Sequence, residues 1–210
     1  MEDRRWASYV AMSQQFRLFI AVAIPEDVKA KLAEAQSELR RAMPEHGVRW
    51  TPREQFHLTL RFLGDVEKER VEALGEALRA ACRGFGALHL QADRVGFFPD
   101  LHRPRVAWAG VRDREERLPV LQQVVDAATG DFTSEPKEER FTGHVTLARI
   151  KAIARPEAEA LGKAKAGLAE RFFGQWTIGH VELMRSVLSP HGATHSTLEA
   201  VALAESARGL

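Results

Sequence analysis

The chain has 210 residues, 45% of them hydrophobic and 28% charged, which suits one compact domain or two small lobes sharing a core. A formal net charge of +1 excludes a nucleic-acid coat spread over the whole surface and leaves open a local basic cleft, because phosphate affinity depends on where Lys and Arg gather. The single cysteine, Cys82, excludes an internal disulfide and offers no thiol metal site, and no apolar run reaches the ~18 residues of a membrane span.

The leader "MEDRRWASYVAMSQQ" lacks the apolar centre of a signal peptide, so a cytoplasmic protein is expected. Residues 1–15 are expected to be a disordered or loosely attached extension, with Met12 as an alternative start, and residues 16–210 to form one domain. Residues 16–23 are apolar apart from Arg17, as in a strand buried on both faces. Pro25 opens a helix with Glu26 and Asp27 in its first turn and Val28, Leu32, Ala35 and Leu39 at helical spacing, ending near Pro44. "VRW" predicts a short strand before the Thr51-Pro52 turn, and "HLTLRF" the next strand. Residues 67–83 predict a helix with Val71, Leu74 and Leu78 on its apolar stripe. "ALHLQADRVGFF" and "RVAWAGV" read as strands around the "FPDLHRPR" loop, and residues 115–129 as a third helix. "FTGHVTLARI" is a strand with a glycine at its mouth. A fourth helix is expected from Pro156 to about residue 172. "WTIGHVELMRSVL" and "THSTLEAVAL" close the chain as two strands joined by an "SPHG" turn. The order predicts an α+β fold of about eight strands and four helices.

A strand carrying His-x-Thr-Leu occurs twice, as His57-Leu58-Thr59-Leu60 and His144-Val145-Thr146-Leu147, with the histidines 87 residues apart (144 minus 57). Residues i and i+2 of a strand share a face, so each strand presents one imidazole and one hydroxyl together while its large apolar residues turn the other way. A lone histidine of this kind is ordinarily a core residue. Two at matching positions place two His-x-Thr pairs across a cleft if the halves pack face to face. Imidazole titrates near neutrality, so one can act as base while the other acts as acid, and threonine hydroxyls donate to an anion. In-line displacement at phosphorus needs that set: a base for the incoming water, an acid for the departing oxygen, and donors for the phosphoryl oxygens.

"HLTLRFLG" and "GHVTLARI", with "RLFIAVAIP" at the front and the "LMRSVLSPHGATHSTL" tail, resemble the 2H phosphoesterases from about Phe16 to Leu203. The likeness is to the RNA 2′,3′-cyclic phosphodiesterase branch, also called 2′–5′ RNA ligase. It implies a bilobal fold of duplicated antiparallel sheets with pseudo-two-fold symmetry, helices outside and a central cleft. It also implies hydrolysis of RNA 2′,3′-cyclic phosphate ends, or nucleoside 2′,3′-cyclic phosphates, to 2′-phosphates, without metal or other cofactor. By the family pattern His57 is the general acid, His144 the general base, and Thr59 and Thr146 hold the phosphoryl oxygens. The two histidines cannot be ordered from the residues alone. The reverse reaction, 2′–5′ joining of RNA ends, is implied as well, and a monomer is expected.

Arg61 lies four residues after its histidine, where strict alternation puts it on the histidine face; Arg149 lies five after and needs a bulge or a strand end to get there. The resemblance favours Arg149 as a substrate contact; for both arginines the alternative is an ion pair. Gly143 either lets a ligand approach the backbone or opens its strand. Phe19 and Trp50 either stack a base or pack in the core. His46, His89, His102, His180, His191 and His195 have no partner motif and read as surface residues, with His102 and His191 in loops; Arg140 precedes the second motif strand, where it could attract RNA. Two competing functions follow. A module that binds RNA ends without turnover would need Arg or Lys more than a base, and a metallohydrolase would need carboxylates or a histidine triad that His-x-Thr does not supply.

Overall fold

The structure is a computed structural model that describes residues 14–43, 46–137, 140–151, 153, 155–190 and 192–203. Of the loose extension expected over residues 1–15, residues 1–13 lie outside them, as does the loop histidine His191, while Gln15 already belongs to the first strand. In chain order the elements are β1 (Gln15–Ala23), α1 (Glu26–Arg41), β2 (Val48–Trp50), β3 (His57–Glu67), α2 (Val71–Cys82), β4 (Leu88–Phe98), β5 (Val106–Asp113), α3 (Arg117–Thr129), β6 (His144–Ile150), α4 (Arg155–Leu168), β7 (Phe172–Ile178), β8 (His180–Ser189) and β9 (Gly192–Ala202). The α+β expectation holds, with nine strands in one antiparallel sheet.

The sheet runs β7-β4-β5-β6-β3-β1-β8-β9, with β2 pairing the end of β6. Its two halves meet where β3 and β6 lie side by side, registered at a single pair, Leu58 opposite Val145. Within the halves the ladders are long: β1 pairs β3 from Gln15↔Glu67 to Ala23↔His57, and β5 pairs β6 from Val106↔Arg149 to Gly110↔His144. The helices cover the face to which Leu58, Leu60, Val145 and Leu147 point, all of them buried. Two of them are exchanged between the halves: α1 follows β1 yet packs on β6 and β7, while α3 follows β5 yet packs chiefly on β3; α2 and α4 stay with β9 and β4 of their own halves.

Three boundaries differ from expectation. The β3 strand continues to Glu67, where a helix was expected to begin, because Gly64 turns through positive φ and the ladder with β1 resumes beyond it. A turn of 3-10 helix, Lys68–Arg70, then leads into α2. The fourth helix stops at Leu168, and Phe172 already belongs to β7, which is zipped along β4. The segment "WTIGHVELMRSVL" is two strands broken at Gly179, since β7 pairs β4 in one half and β8 pairs β1 in the other.

Candidate active site

His57 and His144 open their strands in the same way. Nδ1 of His57 is 2.7 Å from the carbonyl oxygen of Gln55, and Nδ1 of His144 is 2.8 Å from that of Thr142, in each case two residues upstream. A carbonyl only accepts, so Nδ1 carries the proton in both rings, and the neutral form leaves its lone pair on Nε2. Thr59 and Thr146 stand one step along on the same face, half-buried, and neither hydroxyl has a hydrogen-bond partner among the described residues.

Beyond the threonines each strand carries a bulge. The ladder of β3 on β1 slips between Ala21↔Thr59 and Ile20↔Arg61, and that of β6 on β5 between Trp108↔Thr146 and Ala107↔Ala148. Leu60 and Leu147 are therefore the extra residues, and alternation is reset by one after them. Each bulge is held from the helical layer. The amide of Gln36 on α1 donates to the Leu147 carbonyl at 2.8 Å and to that of Thr51 at 2.8 Å, and the buried Gln122 on α3 donates to the Leu60 carbonyl at 3.4 Å. These two glutamines are 86 residues apart (122 minus 36), close to the spacing of the histidines.

The bulges decide both arginines. Arg149, five after its histidine, is returned to the histidine face and is exposed there. Arg61, four after, is turned to the opposite face, which corrects the expectation from strict alternation. Its guanidinium is buried, donating to the carbonyls of Pro136 at 2.8 Å and Glu135 at 2.9 Å and lying 3.0 Å from Asp126. The residue that shares the face of His57 and Thr59 is instead Phe62, which is 46% exposed.

Aromatic rings flank both histidines. Phe19 lies with its centroid 4.9 Å from His57 and is otherwise buried, while Trp50, half-buried against the core, takes the packing role left open for it. Phe98 stacks on Trp108 at 5.0 Å and meets His144 edge-on at 5.1 Å. The Trp108 indole crosses β4 over Gly96, where a Cβ would stand 2.1 Å from Cζ2, so only glycine permits this placement. Gly143 has a packing role: a Cβ there would come within 2.4 Å of the Val111 carbonyl, whose own N–H bonds to Gly143.

His195, read from sequence as a surface residue, belongs to this site. Its ring lies 5.4 Å from His57 and 5.0 Å from Phe19. In sheet order β1 and β8 separate β9 from β3, which in a flat sheet would hold them about 14 Å apart. The sheet is therefore strongly curled on this face, and the β8–β9 hairpin closes over it, tied by the Gln55 side-chain amide to the Ala193 carbonyl at 2.5 Å. The other described histidines stay outside: His46 and His102 are exposed, His89 bonds Thr177, and His180 lies near Glu182.

Burial lowers the pKa of His57 from its ordinary value near 6.5 to about 4; the Gln55 carbonyl opposes this, while charge on His195, His144 and Lys29 adds to it. Burial lowers His195 as well. At neutral pH the ligand-free protein thus holds His57 as a neutral imidazole. The unfolded chain takes a proton at this position below pH 6.5 and the folded chain only below about 4, so this contribution is complete above 6.5 and is lost as pH falls between those values. Urea denaturation should show a loss of about 3 kcal/mol from this group on going from pH 7 to pH 4. A His57→Gln variant should lack that part of the slope, and equal slopes in the two proteins would show that His57 is not desolvated.

Two imidazole–hydroxyl pairs thus stand on paired strands of one concave sheet, both rings fixed to the same tautomer. The chain belongs to the family described as LigT like phosphoesterase, whose model matches residues 22–108 and 111–194. Among its relatives is the RNA 2′,3′-cyclic phosphodiesterase of Thermus thermophilus, 34% identical over 197 residues, which are 89% of this chain and 90% of that protein. The protein of the same name from Aeropyrum pernix is 32% identical over 155 residues, 74% of this chain and 86% of its own. Of solved structures, TT0787 of Thermus thermophilus superposes with a TM-score of 0.71 at 30% identity, covering 89% of this chain and 97% of that one. E. coli LigT complexed with 3′-AMP shares the fold, with a TM-score of 0.70 at 21% identity over 90% of this chain and 99% of that one.

Proposed function

We propose that the protein hydrolyses RNA 2′,3′-cyclic phosphate ends to 2′-phosphomonoesters. The observation that carries this reading is the matched pair of His-x-Thr strands, each histidine fixed through Nδ1 to its own upstream carbonyl. The cyclic phosphate sits between the two imidazoles, its non-bridging oxygens accepting from Thr59 and Thr146. His144, neutral, takes a proton from water on Nε2 as the water oxygen bonds to phosphorus. The bond to the 3′-oxygen breaks, and that oxygen receives a proton from Nε2 of His57. The phosphate remains on the 2′-oxygen. The order of acid and base follows the family resemblance.

His57 is neutral in the ligand-free protein, so the acid role requires that the substrate's negative charge draw a proton onto it. Once charged, an imidazolium of low pKa is a strong donor to a poor leaving group, which compensates for its small population. Replacing the water by a 5′-hydroxyl in the same steps gives 2′–5′ ligation: the 5′-oxygen bonds to phosphorus as the bond to the 3′-oxygen breaks and that oxygen takes the proton. All of these groups come from one chain, so a monomer suffices.

Incubation with an RNA ending in a 2′,3′-cyclic phosphate, with the product assigned by position, tests the reading. A 2′-phosphate is expected; a 3′-phosphate, or no turnover, rejects it. Thr59→Val and Thr146→Val keep shape and strand propensity while removing one donor each. A hydrogen bond to a charged group contributes on the order of 1.5–3 kcal/mol, so each variant should lose about 10- to 10²-fold in kcat/KM. Unchanged kcat/KM in both variants would remove the threonines from the site.

A further inference from the structure

We propose that Arg49, with Arg149 directly opposite it, forms a second phosphate subsite, taking the phosphodiester on the 5′ side of the terminal nucleotide. The proposal rests on the cyclic phosphodiesterase reading above and extends it from a terminal nucleotide to an RNA chain.

The placement follows from register. The β2 strand pairs β6 as Val48↔Ile150, Arg49↔Arg149 and Trp50↔Ala148. Directly opposed residues of an antiparallel pair share a face. The bulge at Leu147 has put Arg149 on the face of His144 and Thr146, so Arg49 is on that face too. Val48 and Trp50 turn the other way and pack against the core, which fixes β2 in this orientation.

Two cations set directly opposite one another destabilise a strand pair. Among the described residues nothing offsets that repulsion: both arginines are exposed, and neither has an ion pair or hydrogen bond there. Arg53, Arg61, Arg79, Arg112 and Arg171 each face a carboxylate within ion-pair distance. The face that carries the candidate catalytic groups thus holds a juxtaposed pair of cations that an anion would relieve.

The pair also has a direction. From the row of Thr146 and Trp108 to the row of Val106, Arg149 and Arg49 is about 7 Å along the strand. Arg49 lies across from Arg149 on the edge of β6 away from β5, the edge that β3 takes nearer the histidines, and beside the tip of the β8–β9 hairpin, where a Cβ on Gly192 would be 3.5 Å from its Nη2. The other half has no counterpart, because Phe62 stands where Arg149 stands in this one. An RNA chain whose end reacts between the histidines is therefore drawn out along β6 towards the row that Arg149 and Arg49 share.

The test uses the full chain and Arg49→Gln, with circular dichroism as the check on folding. Binding of a fluorescein-labelled RNA oligonucleotide ending in a 2′-phosphate, and of a nucleoside 2′-phosphate, is measured against salt. Turnover of the corresponding 2′,3′-cyclic phosphates is measured in parallel. Loss of one phosphate contact should lower the salt slope for the oligonucleotide by about 0.7. The preference in kcat/KM for oligonucleotide over mononucleotide should fall about 5-fold, the scale of an exposed ion pair, and Arg49→Lys should restore the slope. An unchanged slope and preference would overturn the subsite while leaving the hydrolytic reading intact. Equal losses on both substrates would also overturn it, placing Arg49 at the reacting phosphate. A wild-type protein that turns over neither substrate, yet binds the oligonucleotide with a slope that falls in Arg49→Gln, would uphold the subsite and sink the hydrolytic reading.

Discussion

His57→Ala and His144→Ala should each lower hydrolysis of a 2′,3′-cyclic phosphate by about 10²–10⁴-fold, the usual contribution of a positioned acid or base, with the fold intact. The fold should survive because both side chains are half-buried on the helix-free face, each with Nδ1 bonded to a carbonyl two residues upstream. The losses are not additive. With either imidazole gone the in-line transfer is already broken, and the threonine donors and Arg149 supply what remains, so the double variant is little worse than either single one. Both variants retain product affinity within a few-fold, which separates this result from damage to binding. The wild-type rate falls at both low and high pH, because one imidazole must be neutral and the other charged. A variant with near-wild-type turnover, or a wild-type profile flat from about pH 5 to 9, would remove the two-histidine mechanism.

Asp126→Asn destabilises the protein by about 3–5 kcal/mol, the cost of leaving a buried charge without its partner. Arg61 and Asp126 are both buried, their side chains 6% and 3% exposed. Asp126 Oδ1 lies 3.0 Å from the guanidinium yet makes no aligned hydrogen bond, so the pair is held by charge, while Arg61 directs its donors to the carbonyls of Glu135 and Pro136. Lys137 reaches the other carboxylate oxygen at 3.1 Å. Removing the charge therefore leaves Arg61 desolvated and releases the segment that leads towards the second motif strand. Replacing both partners, Arg61→Met with Asp126→Leu, should recover most of the loss, since well-packed apolar residues often match a buried pair. Urea denaturation measures both; a loss below about 1 kcal/mol for Asp126→Asn would place the pair with exposed ion pairs.

The His-x-Thr strands were legible because a strand's period of two is strict over the three residues from His57 to Thr59, and again from His144 to Thr146. It fails one residue later. Arg61 and Arg149 were assigned by counting, and the count is wrong for Arg61 because Leu60 is an extra residue in the ladder. Only the need for a bulge at Arg149 pointed that way. A signal did exist in Gln36 and Gln122, polar residues within helices at nearly the histidine spacing, but a glutamine in a helix ordinarily reads as a solvated position. His195 was beyond reach for another reason. Its approach to His57 depends on the curl of four strands, and curl is a property of the assembled sheet. The Gly179 break was present in the letters, but that β7 and β8 part to opposite halves is a matter of pairing, which no local pattern carries.

The exchanged helices bear on how the molecule came to be and how it comes apart. A single copy of the repeat would lack one of the helices that cover its sheet, since α1 lies over β6 and β7 and α3 chiefly over β3, while α2 and α4 stay with β9 and β4. Such a half-length chain could shelter its apolar face only by trading helices with a twin, as in domain swapping. The present protein resembles that swapped pair joined end to end. Its two parts should melt in one transition, and severing the chain near the middle should give fragments that gain structure only when mixed.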